Sequence, residues 1–232
     1  MRIVTLLLLL LANPLWAGES ISIAVAANFK PTLEKITEPF LANTNIFVTF
    51  SPASTGALTT QILHGAQYDM FFAADEESPE AIVSAKNLAS TDSFCYARGS
   101  LVLAGSKDGL SALAQPDLSL AIANPATAPY GRAAMEVLAR EEFSAGQSRK
   151  LVKGNSVAQA LQFWQSGAVD MALLPAALKA ADATPVPLDW YKPVEQYAVV
   201  LIHSPAVDEY LQWLRSDTVR DLIKDAGYEP CP

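Results

Sequence analysis

Positive charge is scarce in this sequence, and it is not clustered. The chain has 24 Asp and Glu residues but only 16 Lys and Arg residues, for a formal net charge of −8 at pH 7. No run of Lys or Arg resembles those that follow a phosphate backbone, which argues against nucleic acid or an anionic membrane surface as a partner. Beyond residue 20 no apolar stretch is long enough to cross a bilayer. These absences favour a soluble protein.

The motifs of common catalytic and metal centres are missing as well. There is no G-x-S-x-G turn for a nucleophilic serine, no H-E-x-x-H spacing for zinc, and no prominent pair of carboxylates for glycoside hydrolysis. The two histidines, His64 and His203, are expected to be structural. A Ser-His-Asp triad assembled from distant positions is compatible with the composition. The sequence nevertheless predicts a protein that is not an enzyme and that binds no metal cation through its side chains.

Cysteine occurs only twice, at Cys95 and Cys231. Neither cysteine lies in a C-x-x-C pair or beside a histidine, which argues against a metal site. In an exported protein two such cysteines favour one disulfide, and two unpaired buried thiols are the alternative. A bridge between them would place the extreme C-terminus next to the middle of the chain.

The N-terminal segment has the layout of a secretory signal. Arg2 is the only charge before Glu19, a mostly apolar run covers residues 3–12, and the small residue Ala17 precedes a polar segment. The apolar run is short for a membrane span, whereas a positive end, a short apolar stretch and a small residue are typical of a cleaved signal. We therefore predict a signal peptide over residues 1–17 and an exported mature protein. A buried helix or a retained membrane anchor is the alternative.

Strands and helices alternate along the rest of the chain. Short β-rich runs are followed by segments of helical periodicity, and this rhythm restarts near residue 100. Such alternation builds mainly parallel sheets with helices on both faces, and the restart indicates two sheets. The apolar runs near residues 95–104 and 197–204 are candidate connections between them. We predict an α/β protein with two lobes: residues 18–98 and 203–232 in lobe I, and residues 99–202 in lobe II.

Four of the predicted strands end in a loop of small neutral donors that opens directly into a helix. The first turn of a helix presents free backbone N–H groups and the positive end of the helix dipole, which together suit an anion. In open parallel sheets these ends face the crevice where ligands bind, and a site built from dipoles lets an acidic protein hold an anion. One such loop is an ordinary helix cap, but two from each lobe would surround a small oxyanion. The loops are Ala26-Ala27-Asn28, Ser54-Thr55-Gly56, Pro129-Tyr130-Gly131 and Asn155-Ser156-Val157.

Longer segments around these loops resemble the molybdate-binding periplasmic proteins of ABC importers, within the class of two-lobed periplasmic binding proteins. The resemblance runs from Ile21 to Pro230, and its segments are more specific together than singly. It rests on Ala26-Ala27-Asn28-Phe29, Ser54-Thr55-Gly56-Ala57-Leu58, Phe72-Ala73-Ala74-Asp75, Tyr96-Ala97-Arg98-Gly99-Ser100-Leu101-Val102-Leu103, Ala128-Pro129-Tyr130-Gly131-Arg132-Ala133-Ala134 and Gly227-Tyr228.

The resemblance implies a two-lobed periplasmic binding protein fold with the ligand in the cleft. The ligand would be molybdate or tungstate, the partner the permease of an ABC importer, and the protein a periplasmic monomer without a cofactor. Some members of the family add a tyrosine hydroxyl where Pro175 stands here, so that contact is expected to be absent or replaced. The implied oxyanion contacts are Asn28, Thr55, Tyr130 and Val157, with Ala27, Ser54 and Ser156 as additional candidates.

Backbone amides serve at several of these positions, and side-chain donors are expected at two of them, the amide of Asn28 and the hydroxyl of Tyr130. Two charged residues lie close to the loops. Asp75 is expected to cap the helix that follows it, and Arg132 to form a structural ion pair. If Asp75 faced the ligand instead, it would favour a protonated oxyanion such as hydrogen phosphate. The alternative function is a binding protein for sulfate, phosphate or a small organic solute.

Overall fold

Two five-stranded sheets flanked by helices make up the part of the chain, residues 19–231, that the computed structural model describes. The predicted signal peptide over residues 1–17 lies outside the described residues. The strands are β1 (Ser20–Ala26), β2 (Phe47–Ala53), β3 (Met70–Phe72), β4 (Ser93–Gly99), β5 (Leu101–Ala104), β6 (Leu120–Ala123), β7 (Leu151–Gly154), β8 (Met171–Pro175), β9 (Thr184–Pro185) and β10 (Val194–Val200). The α-helices are α1 (Lys30–Asn43), α2 (Thr55–Leu63), α3 (Glu77–Lys86), α4 (Pro129–Leu138), α5 (Val157–Gln165), α6 (Pro205–Leu214) and α7 (Asp217–Asp225).

The two sheets have the same plan. The first has the strand order β2-β1-β3-β10-β4, in which β1 is parallel to β2 and β3, and β10 is antiparallel to β3 and β4. The second has the order β7-β6-β8-β5-β9, in which β6 is parallel to β7 and β8, and β5 is antiparallel to β8 and β9. Each sheet thus has a single antiparallel strand, β10 in the first sheet and β5 in the second. In both cases this is the strand that the chain forms directly after crossing from the other sheet.

The central strands are apolar because helices cover both faces of each sheet. Every residue of β3, β5, β6 and β8 is buried. The helices begin at local signals: Ser156 caps α5 by accepting a hydrogen bond from the backbone N–H of Gln159, and Ser204 caps α6 in the same way. Within residues 19–231, no helix is long and apolar enough to cross a membrane.

The predicted division into lobes needs one correction. The sequence analysis places residues 99–202 in lobe II, but β10 is part of the first sheet, where it lies between β3 and β4. The apolar run at its end suggested a connection between lobes, whereas Ala198, Val199 and Val200 are buried because β10 is an internal strand. The chain crosses between the sheets at Ser100 and again between β9 and β10. Lobe I therefore consists of residues 19–99 and 194–231, and lobe II of residues 101–185.

The C-terminal helices pack against lobe I. The indole nitrogen of Trp213 in α6 donates to the backbone oxygen of Ile36 in α1 over 2.9 Å, and Tyr210 is fully buried in the same core. Beyond α7 the chain returns to β4, and a disulfide joins Cys231 to Cys95. Cys231 is thus held close to the first sheet.

Candidate functional site

The loops that follow β1, β2, β6 and β7 meet between the lobes and enclose a small cavity of about 10 Å³. Pockets for organic ligands usually measure about 300–1,000 Å³, so this cavity suits a small ion better. Every candidate contact from the sequence analysis lies in its wall. The lining residues are Ala26, Ala27, Asn28, Ser54, Thr55 and Ala74 from lobe I, and Ala128, Pro129, Tyr130, Ser156 and Val157 from lobe II.

Backbone N–H groups without an acceptor belong to residues that line this cavity from both lobes. Thr55 and Val157 are the first residues of α2 and α5, Tyr130 is the second residue of α4, and Asn28 lies just before α1. The hydrogen bonds of residues 19–231 provide no acceptor for the backbone N–H of any of these four residues. A buried N–H without an acceptor costs free energy, and helix N-termini carry a partial positive charge. The arrangement therefore favours an anion that accepts hydrogen bonds.

Serine and threonine hydroxyls add donors to the same wall. The Oγ1 of Thr55 accepts a hydrogen bond from the backbone N–H of Ala74 over 3.0 Å, which leaves the hydroxyl hydrogen free to donate. The Oγ of Ser156 accepts from the backbone N–H of Gln159 over 3.4 Å, with the same consequence. Ser54 is buried and makes no capping bond with its side chain. These three hydroxyls can supplement the backbone donors.

The side chain of Asn28 does not serve as the expected donor to the cavity. Its Nδ2 donates to the Oε1 of Gln196 over 2.7 Å and to the hydroxyl of Tyr228 over 3.2 Å. Both hydrogens of the amide are therefore used within lobe I. The expectation of a side-chain contact at Asn28 is wrong, because two distant buried side chains compete for the amide. Its backbone N–H remains available.

Tyr130 lies across the interface between the lobes. Its hydroxyl accepts a hydrogen bond from the Nε2 of Gln196 in lobe I over 3.3 Å. Burial raises the pKa of Tyr130, so the phenol stays protonated at neutral pH. Within residues 19–231 the hydroxyl hydrogen has no acceptor, and it is available to a bound oxyanion. Gly99 makes room for this side chain, since a Cβ at that position would lie 1.7 Å from the hydroxyl oxygen.

Among residues 19–231, no charged side chain lines the cavity. Asp75, the acid closest to the loops in sequence, accepts from the backbone N–H of Ser78 over 3.2 Å with Oδ1 and from Arg132 over 2.8 Å with Oδ2. Asp75 therefore caps α3, and Arg132 forms an ion pair rather than a ligand contact. The cavity holds hydrogen-bond donors without a carboxylate acceptor, so it is suited to an oxyanion that carries no proton.

The lobes touch around the cavity, so the structure shows a closed cleft. The backbone N–H of Gly56 in α2 donates to the backbone oxygen of Thr127 in lobe II over 2.8 Å. The ion pair between Asp75 and Arg132 and the hydrogen bond between Gln196 and Tyr130 also join the lobes. An ion held by donors from both lobes would stabilise this closed form relative to an open one.

A larger groove of about 360 Å³ lies beside the cavity, at the rim of the cleft. Carboxylates dominate its charge, and they would repel an anion. We therefore place the candidate ligand site in the smaller cavity. The charged residues of the groove are Asp75, Glu76, Glu77, Glu136 and Glu195, with Arg132 and Lys192.

The sequence analysis did not identify Gln196, Tyr96 and Tyr228 as functional residues. Gln196 is fully buried, and its Oε1 accepts hydrogen bonds from Asn28 and from the hydroxyl of Tyr96 over 3.0 Å. One signal was present in the sequence, since Gln196 is a neutral polar residue in an otherwise largely apolar strand. A buried polar side chain needs partners, which makes such a residue a candidate for a network.

Comparison with known proteins agrees with this geometry. A sequence profile described as "Bacterial extracellular solute-binding protein" matches residues 21–229. The chain belongs to this family. Among curated relatives, the "Molybdate-binding protein ModA" of Azotobacter vinelandii is 34% identical over 94% of this chain and 93% of its own length. The protein of the same name from Rhodobacter capsulatus is 34% identical over 94% of this chain and 91% of its own length. The resemblance found in the sequence is thereby confirmed.

Comparison with solved structures confirms the predicted two-lobed fold. The periplasmic molybdate-binding protein of Azotobacter vinelandii superposes with a TM-score of 0.83 at 31% identity, covering 91% of this chain and all of that structure. The sulfate-binding protein SubI of Mycobacterium tuberculosis has a TM-score of 0.71 at 16% identity, covering 91% of this chain and 87% of that structure. At that identity the second match shows the fold alone.

Proposed function

We propose that this protein captures molybdate or tungstate between its lobes and delivers the ion to an ABC importer. The observation that carries the proposal is the convergence of unpaired N–H groups from four loops on one small cavity. Two relatives named as molybdate-binding proteins cover more than nine-tenths of the chain. A relative from Bacillus subtilis, named as a putative ABC transporter substrate-binding lipoprotein, supports the transport role at 26% identity.

The cavity favours fully deprotonated oxyanions over hydrogen phosphate. Hydrogen phosphate carries a proton that needs an acceptor, and a buried donor without an acceptor costs about 1–3 kcal/mol. The carboxylate closest to the loops in sequence, that of Asp75, is already occupied by Arg132 and the N-terminus of α3. We therefore expect molybdate and tungstate to bind, and phosphate to be rejected by its chemistry.

Sulfate is the strongest competitor, because it shares the charge and the tetrahedral shape. We propose that the size of the cage selects against it. The N–H donors of Asn28 and Thr55 belong to lobe I, and those of Tyr130 and Val157 belong to lobe II. Direct contacts between the lobes limit how closely these two pairs of donors can approach each other. A smaller ion would leave some hydrogen bonds stretched, and such bonds weaken steeply with length.

Titration calorimetry of the purified mature protein with molybdate, tungstate, sulfate and phosphate tests the proposal. We expect molybdate and tungstate to bind with similar affinity and sulfate to bind at least a hundredfold more weakly, which corresponds to about 2.8 kcal/mol. Equal binding of sulfate and molybdate would refute the size argument. The absence of binding by every oxyanion would refute the proposed function.

The proposal also covers the setting in which the protein acts. We infer a periplasmic monomer that binds its ligand without a cofactor and does not transform it. The relatives are binding proteins, and no group of three or more His, Cys, Asp or Glu residues within the described chain is arranged to hold a metal ion. Small-angle scattering is expected to show a monomer whose radius of gyration decreases when molybdate is added.

A further inference from the structure

The last residues of the chain form a short tail that is held against β4. We define the tail as residues 226–231, which follow α7. The backbone N–H of Arg98 donates to the oxygen of Glu229 over 2.8 Å, and the N–H of Glu229 donates back over 2.9 Å. The disulfide between Cys95 and Cys231 then ties the end of the tail to the same strand. The tail is thus an additional edge segment of the first sheet.

One side chain of the tail, that of Tyr228, contacts Asn28 in the wall of the ligand cavity. Tyr228 is buried, and its hydroxyl donates to the backbone oxygen of Asn28 over 3.0 Å while accepting from the Nδ2 of Asn28 over 3.2 Å. These bonds hold both the backbone and the side chain of Asn28. The N–H of the same residue is one of the unpaired donors at the cavity. Tyr228 therefore acts on the cavity through Asn28.

The remaining support of Asn28 also passes through this network. Its Nδ2 donates to Gln196, whose Nε2 donates to Tyr130 across the cleft. The ring of Tyr228 packs against Phe29, with 5.3 Å between the ring centroids. Loss of the tail would leave the backbone oxygen of Asn28 without its donor and the side chain of Phe29 less tightly packed. Both changes affect the loop that supplies the N–H to the ligand.

We propose that the disulfide-anchored tail is a positioning element of the oxyanion site, and that Tyr228 is the positioning residue. This inference rests on the proposed function of the cavity. The two β-bridge hydrogen bonds lie between half-buried or exposed residues, since Arg98 is half-buried and Glu229 is exposed. The disulfide keeps the tail paired with β4. This pairing keeps the hydroxyl of Tyr228 within hydrogen-bonding distance of Asn28. Opening the disulfide therefore lowers the affinity for the ion without removing any ligand contact.

The experiment compares three variants by titration calorimetry with molybdate. Tyr228→Phe removes the hydroxyl that holds Asn28, and the paired change Cys95→Ser with Cys231→Ser opens the bridge. Tyr210→Phe is the matched control, because Tyr210 is also fully buried in lobe I. Within the described part of the chain its hydroxyl bonds only to Thr37, over 2.6 Å. Thermal melting of each ligand-free variant shows whether it is folded at the temperature of the titration.

We expect Tyr228→Phe to weaken molybdate binding about tenfold, which is the size expected from the loss of one buried hydrogen bond. The paired cysteine change should weaken binding at least threefold, and Tyr210→Phe should leave it within twofold. Combining the cysteine change with Tyr228→Phe should cost less than the product of their separate effects, because both act through the same contact.

Affinity within twofold of wild type in both Tyr228→Phe and the cysteine variant would overturn the inference. An equal loss in Tyr210→Phe would also overturn it, since the effect would then follow general stability. If the cysteine variant does not fold, the molybdate affinities of Tyr228→Phe and Tyr210→Phe decide whether Tyr228 positions Asn28. Failure of the wild-type protein to bind molybdate would instead refute the proposed function, so the two failures are distinguishable.

Discussion

Gly56 offers the sharpest test of lobe closure, because it touches the opposite lobe without a side chain. A Cβ at this position would lie 3.1 Å from both the Cα and the backbone oxygen of Thr127. These distances are shorter than ordinary van der Waals contacts. The loop that contains Thr127 cannot easily yield, because the backbone N–H groups of Ala126, Thr127 and Ala128 all donate to Asn124. Gly56→Ala should therefore oppose closure.

The magnitude follows from the cost of overpacking. Adding a methylene-sized group to a well-packed contact typically costs about 1–3 kcal/mol. In Gly56→Ala this cost falls on the closed form only, so the affinity for molybdate should decrease about five- to 150-fold. The ligand-free protein should be no less stable, since alanine is favoured over glycine inside a helix by up to about 1 kcal/mol. Weaker binding without lower stability is the expected combination.

Calorimetry with molybdate and small-angle scattering provide the assay. Gly56→Ala should need more molybdate to reach the compact form, and Gly56→Ser should behave similarly because its Cβ meets the same atoms. The melting temperature of each ligand-free variant serves as the control for folding. Wild-type affinity in Gly56→Ala, together with full compaction, would refute our view that Gly56 meets Thr127 when the ion is bound.

Three further predictions concern single side chains. Thr55→Val should weaken molybdate binding about ten- to a hundredfold, because a hydroxyl that donates to the ion is lost. The same change should lower the free energy of unfolding by about 1–3 kcal/mol, because the buried N–H of Ala74 loses its acceptor. Thr55→Ser keeps the hydroxyl and should retain most of the affinity and most of the stability. Tyr130→Phe should weaken binding about ten- to a hundredfold in calorimetry, and unchanged affinity would mean that only its backbone contributes. Hydrogen bonds to Asp208 and Asp92 raise the pKa of His203 in the folded protein. The stabilising effect of His203 should therefore be complete below the pKa of the unfolded chain, about 6.5, and should disappear as the pH rises through the pKa of the folded protein. His203→Gln should thus lower stability in denaturant titrations at pH 5.5 but not at pH 9, and an equal loss at both would contradict the linkage.

Closure and the tail act on the same ion from different sides. Closure is carried by Gly56, Asp75 and Arg132, which lie at the edge of the cavity and join the lobes. The tail acts from within lobe I, where Tyr228 supports Asn28 from behind. A change at the edge should alter the population of the closed form, whereas a change behind Asn28 should alter the ligand contact itself. Scattering can separate these effects, because only a change at the edge should reduce the compaction of the protein at equal saturation with molybdate.

Features that depend on neighbouring residues could be predicted from the sequence alone. Apolar runs indicated the strands, and the small donors at Asn28, Thr55, Tyr130 and Val157 marked loops that open helices. These signals are local, since helix N-termini leave N–H groups unpaired in any fold. The candidate contacts that the family resemblance implied within these loops all lie in the wall of one cavity. Their role as ligand contacts remains a prediction.

Only the tertiary structure decided which partners the polar side chains take. The amide of Asn28 bonds to Gln196 and Tyr228, which lie 168 and 200 residues away, and no local pattern indicates such a choice. The lobe to which β10 belongs was also decided by pairing with β3 and β4, since a buried apolar run is compatible with either sheet. Hydrogen-bond partners and strand neighbours depend on which distant segments approach one another. That approach follows from the packing of the whole chain, which a local sequence pattern does not contain.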